Sequence, residues 1–153
     1  MDRYDPHKLG EKMKVGDFFE TPEMILSSEE IIDFARLWDP QPFHLSEEAA
    51  KLTPFGSLFG SGLQSLCVMV KLGAEGGFLT KDSIAGIAIE NLRFRSPLRP
   101  GARIYSQFRV REARPSGKNA SRIVATINAT LKQVDGPDII TADLINLYTA
   151  GPR

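Results

Sequence analysis

Asp39 and His44 close the segment Asp39-Pro40-Gln41-Pro42-Phe43-His44. A carboxylate and an imidazole held near each other can move protons to and from a substrate, typically a rate effect of ~10²–10⁴. Two prolines stiffen the segment. Pro40 fixes its own φ, and Pro42 keeps Gln41 extended. The segment is expected to join the C-terminus of one helix to the N-terminus of the next. The negative end of the first helix dipole should raise the pKa of Asp39, and the positive end of the second should lower that of His44. A neutral imidazole accepts protons, so His44 reads as a base near pH 7. Separately, each residue has a plain structural explanation: Asp39 capping a turn, His44 packing on Phe43. Together in a restrained segment they favour chemistry.

Two further features could assist. Gly60-Ser61-Gly62 precedes an apolar run, and glycines at a helix start let a ligand approach free backbone N–H groups. Such donors stabilise a developing oxyanion, although a tight turn explains the same residues. Arg93 and Arg95 share a strand face, with Arg99 just beyond. Three guanidiniums could hold phosphates, although a solvated strand face is the commoner use of such a stripe. His7 lies near the chain start and suggests no role. Two histidines and one cysteine, well separated, make no metal cluster. There is no P-loop, no dinucleotide fingerprint and no nucleophile elbow around Ser57, Ser61 or Ser65.

The elements that must position these residues follow from pattern. Ser27-Ser28-Glu29-Glu30 reads as a capping box with Ser27 as N-cap. Ile31, Phe34, Ala35 and Trp38 give the helix one apolar face, and Pro40 ends it near Trp38. Ser46 should cap a short second helix. Gly60-Ser61-Gly62 should open a third from Leu63 to about Leu72, closed by Gly73 and apolar almost all round, hence buried on most sides. Residues 14–26 read as extended. Strands are expected over 84–95, 103–111, 121–133 and 139–149. In the third of these, Ile123, Ala125, Ile127, Ala129 and Leu131 share one face. Consecutive strands with short turns make an antiparallel sheet, here expected to wrap the buried helix in a single α+β domain over 1–153.

Composition sets limits. The 153 residues carry 19 basic and 19 acidic side chains, so net charge is zero and no global attraction to nucleic acid or anionic membrane results. Neutrality also removes one barrier to self-association. Cys67 is the only cysteine, so no internal disulfide forms, which fits a reducing cytoplasm. Met1 to Lys14 lacks the apolar run of a signal peptide, and Leu63 to Leu72 is too short to span a bilayer. A cytoplasmic protein without membrane association is the expectation.

The segment from Phe34 to His44 resembles the hydratase motif of the MaoC-like dehydratases, which include the R-specific enoyl-CoA hydratases. In that motif, roughly D-x-N-P-x-H, Asp39, Pro42 and His44 match. Gln41 stands in place of Asn, and Trp38 in place of a common Gly. Gly62 follows at the family's usual distance. Arg95-Ser96-Pro97-Leu98-Arg99-Pro100-Gly101 resembles the family's R-x-P-V-x-P-G-D, with Ala102 at the acid. The resemblance, running from about residue 11 to 150, implies a hotdog fold, a long antiparallel sheet around a central helix, and a homodimer or a higher assembly of dimers. It implies a hydro-lyase that adds water reversibly to a trans-2-enoyl thioester, giving an (R)-3-hydroxyacyl thioester. Asp39 and His44 would activate water, the Gly62 N–H would polarise the thioester carbonyl, and Gln41 and Ser61 would be orienting neighbours. Acyl-CoA or an acyl carrier would be the substrate, with no separate cofactor and no metal, and Arg93, Arg95 and Arg99 would meet CoA phosphates. A hotdog thioesterase, or an inactive acyl-CoA-binding subunit, is the alternative. Thioesterases often use an acid on the central helix, and Gly62 to Gly73 has none.

Overall fold

The computed structural model describes residues 13–150. His7 and the charged start of the chain lie outside them. The chain runs β1 (Phe18–Glu20), α1 (Ser28–Trp38), α2 (Pro42–Leu45), α3 (Glu47–Lys51), α4 (Gly62–Glu75), β2 (Ser83–Phe94), β3 (Ile104–Pro115), β4 (Arg122–Gln133) and β5 (Ile140–Thr149). The strands form one antiparallel sheet in the order β1-β3-β4-β5-β2. α4 packs against β3, β4 and β5, so the sheet wraps the helix in the hotdog arrangement.

Alternation builds the inner face. Ala125, Ile127, Ala129 and Leu131 of β4 are buried as their spacing predicts. Ile104, Phe108 and Val110 of β3, with Ile140, Ala142 and Leu144 of β5, continue that surface toward Val68, Met69 and Leu72 of α4. β1 lies within the segment read as extended and pairs with β3 at Phe18↔Arg109. β3 runs four residues past the expected Arg111, because a register shift between Val110 and Glu112 lets pairing with β4 resume.

The capping box forms: Glu30 N–H donates to Ser27 Oγ at 3.1 Å, and Ser27 N–H to Glu30 Oε2 at 2.8 Å. The apolar face of α1 is shorter than expected. Ile31 and Ala35 are buried, but Trp38 is 69% exposed. α1 meets α4 through its first half, where Gln64 Nε2 donates to the Glu30 carbonyl at 3.2 Å.

α4 also differs from expectation. Gly73 does not close it; the helix continues to Glu75, and Gly76 caps it. A Cβ on Gly73 would meet Phe108 at 2.6 Å and Leu79 at 2.7 Å. The glycine there serves close packing rather than termination. Nor is α4 buried on most sides of this chain: Leu63, Cys67 and Val70 form an exposed flank. Glu75 gives the helix an acid after all, at its far end, exposed and paired with Lys71.

Candidate active site

Asp39 sits where α1 stops. Its backbone leaves the helix at φ −156° and ψ 68°, as Pro40 requires, while its N–H still bonds the Ala35 carbonyl at 2.9 Å. The stretch beyond is not a simple loop. Pro42, at the first helical position, opens the turn of α2, where its missing N–H costs nothing. His44 therefore lies inside a helical turn rather than at the head of α3, which Ser46 caps by accepting from Ala49 N–H. The turn points the imidazole inward, only 4% of the residue remaining exposed. Its faces are enclosed by Phe43 and Phe59, edge to face with ring centroids 4.7 and 4.9 Å away.

One contact sets the chemistry of His44. Nδ1 lies 2.8 Å from the Phe59 carbonyl oxygen. A carbonyl oxygen only accepts, so Nδ1 carries the proton. In the neutral ring Nε2 then holds a lone pair, and it faces Asp39 Oδ2 at 3.5 Å. The base and the carboxylate therefore present acceptors to the same small space.

Asp39 corrects the expectation from helix ends. Its pKa is lowered, not raised. The Ser61 hydroxyl donates to Oδ2 at 2.6 Å and is the largest cause. The Gln41 amide donates to Oδ1 at 2.7 Å and comes second. Partial burial opposes both, and the charge of a protonated His44 adds to them. Two direct donors to a side chain 19% exposed outweigh the diffuse negative end of α1. Gln41, one methylene longer than Asn, still reaches the carboxylate. Ser61, wholly buried, also accepts from Leu63 N–H at 3.2 Å, so one hydroxyl caps α4 and grips Asp39.

These residues line a cavity of about 400 Å³, with Phe55, Phe59, Phe94, Leu98 and Ile139 as apolar walls. Gly62 opens α4 at its edge. Its lack of a side chain serves a neighbour: a Cβ there would meet the Phe94 ring at 2.5 Å. Phe94 itself is 60% exposed. The three arginines separate. Arg95 lines the cavity and donates from Nε to Thr141 Oγ1 at 3.1 Å. Arg93 is exposed, lies outside the lining and donates to the Leu92 carbonyl. Arg99 clamps the chain after α3, donating to the Phe55 carbonyl at 2.7 Å and to Ser57 carbonyl and hydroxyl at 2.8 and 2.7 Å. Sequence reasoning missed the Phe59 carbonyl, which any residue supplies and no pattern marks, and the placing of Phe94 on Gly62.

This is a hotdog protein with an acid–base pair beside the N-terminus of its central helix. Residues 12–133 match the family described as MaoC like domain, and the chain belongs to that family. The uncharacterized protein YdeM of Bacillus subtilis (strain 168) is 30% identical over 123 residues, which are 80% of this chain and 86% of YdeM. The structure is similar to the MaoC-like dehydratase from Rhodospirillum rubrum, with TM-score 0.86 and 28% identity over 92% of this chain and 96% of that one. The (R)-hydratase from A. caviae involved in PHA biosynthesis shares the fold, with TM-score 0.71 and 20% identity over 90% and 97% of the two chains.

Proposed function

We propose that the protein hydrates trans-2-enoyl thioesters to (R)-3-hydroxyacyl thioesters, and runs the reverse dehydration. The observation that carries this reading is the His44 tautomer: Nδ1–H is tied to Phe59, and Nε2 is bare and 3.5 Å from Asp39 Oδ2. In the hydration direction, Nε2 takes a proton from water as the water oxygen bonds the β-carbon. Asp39, kept ionised by Ser61 and Gln41, accepts the water's other hydrogen and stabilises the imidazolium. Nε2–H then returns the proton to the α-carbon from the same face, so addition is syn. Electron density that builds on the thioester oxygen in between meets the N–H of Gly62, a first-turn donor without an intrahelical acceptor. The apolar walls suit an acyl chain, and Arg95 at the lining suits a phosphate of the CoA carrier.

The working unit in this proposal is a homodimer. Among the described residues β2 pairs only with β5 and leaves a 12-residue free edge carrying exposed Ile84, Ile87 and Ile89. A long apolar edge of this kind associates unless covered, and Val70 of the exposed α4 flank lines one cavity with Ile87 and Ile89. Among the described residues no helix is long and apolar enough to cross a membrane.

The test is product analysis with trans-2-enoyl-CoA of short and medium chain length. The proposal expects the (R)-3-hydroxy thioester with CoA still attached. Release of free CoA without hydration would replace it with the thioesterase reading. CoA binding without turnover would leave a binding subunit.

A further inference from the structure

Ser65 lies on α4 one turn beyond Gly62, lines the cavity and is only 3% exposed. Its backbone N–H bonds the Ser61 carbonyl at 3.1 Å. Its hydroxyl has no hydrogen-bond partner among the described residues. Of the neighbouring polar groups, Ser61 Oγ is held by Asp39 and Leu63 and Gln64 Nε2 by Glu30, while Gln64 Oε1 is buried without a partner and does not engage it. A hydroxyl that opens onto the cavity with no protein partner can donate to whatever ligand fills it.

The helix fixes where that partner lies. Side chains on an α-helix lean toward its N-terminus and cover the turn before their own Cα. Ser65 thus leans over Ser61 and Gly62, beside the first-turn N–H groups. A ligand atom that accepts from the Gly62 N–H has lone pairs to offer, so toward it Ser65 donates. We propose that the Ser65 hydroxyl is a second donor to the thioester carbonyl oxygen, paired with the Gly62 N–H. This rests on the reading of the cavity as an acyl-thioester site. It adds a catalytic residue, because two donors aimed at one oxygen stabilise its developing charge more than the ground-state carbonyl.

The experiment compares wild type, Ser65→Ala and Ser65→Cys. Cysteine keeps the volume and shape near those of serine but donates weakly, so it guards against a packing effect. Two readouts are taken on each folded protein: hydration kinetics with a trans-2-enoyl-CoA, and the infrared carbonyl band of bound butanoyl-CoA carrying ¹³C at the thioester carbonyl. The saturated thioester binds without reacting. Ser65→Ala is expected to lower kcat about 10²-fold, the low end for one oxyanion donor, with KM little changed. Its carbonyl band should move back toward the solution frequency, with Ser65→Cys in between. An unchanged kcat and an unmoved band in Ser65→Ala would overturn the proposal while leaving the hydratase reading in place. No wild-type turnover, with a shifted band that Ser65→Ala loses, would sink the hydratase reading and support the Ser65 assignment. No binding of butanoyl-CoA to wild type would overturn both.

Discussion

Ser61→Ala removes one hydroxyl that performs two tasks, and the tasks separate by pH. The first is the α4 cap, where Ser61 Oγ accepts from Leu63 N–H. Losing a serine cap to alanine costs about 1 kcal/mol, independent of the state of Asp39. The second is the 2.6 Å bond to Asp39 Oδ2. A hydrogen bond to a charged group is worth about 1.5–3 kcal/mol, and Asp39 is buried enough to feel most of it. At neutral pH the variant should therefore be about 3 kcal/mol less stable, a fall in Tm of about 6–12 °C for a chain of this length. The sign of the pH effect follows from the lowered pKa of Asp39. A depressed carboxylate contributes stability above its unfolded pKa, near 3.8, and loses it as pH falls through the folded value. Stability differences between wild type and Ser61→Ala, measured by urea unfolding from pH 7 down through the acid range, should shrink toward the cap contribution alone. Ser61→Gly, which caps nearly as well as serine, should lose mainly the pH-dependent part. A penalty that is the same in acid as at neutral pH would refute the idea that Ser61 holds Asp39 ionised.

Two glycines of α4 should respond differently to alanine. At Gly73 the new Cβ meets buried Phe108 and Leu79, so Gly73→Ala should cost about 1–3 kcal/mol in thermal unfolding. At Gly62 it meets only the exposed Phe94 ring, which can swing away; Gly62→Ala should change stability by less than about 1 kcal/mol yet depress turnover, because the ring and the methyl crowd the cavity. Arg99→Ala should lower stability by about 2 kcal/mol and expose 55–57 to hydrogen exchange, and Arg99→Lys should not restore the three-acceptor clamp. Ile87→Asp on the free edge should weaken dimerisation roughly 30-fold, about 2 kcal/mol, read by sedimentation; an unchanged dimer would place the interface elsewhere.

Much of the site was legible because it depends on local rules. Pro40 ends α1 and Ser27 and Ser46 cap helices through residues close in sequence, and two-residue alternation marks the buried face of β4. What escaped depends on contacts distant in sequence. Ser61 lies 22 residues from Asp39, and its hydroxyl reverses the pKa shift that helix ends alone suggest. The Phe59 carbonyl sets the His44 tautomer from 15 residues away. Gly73 reads as a stop until Phe108, from a different strand, fills the space of its side chain. Trp38 fits the apolar spacing of α1 yet lies beyond the half that touches α4. Arg99 shows the same limit, since its partners in 55–57 leave no trace in the local pattern.

The pairing of Asp39 with the bare Nε2 of His44 is the core of the account. The initial rate of hydration of a trans-2-enoyl-CoA by wild type, Asp39→Asn and His44→Gln tests it most directly. Measurable wild-type turnover should fall at least about 10²-fold in each variant, while both remain folded. A wild type with no turnover at any chain length, or either variant keeping the wild-type rate, would contradict it.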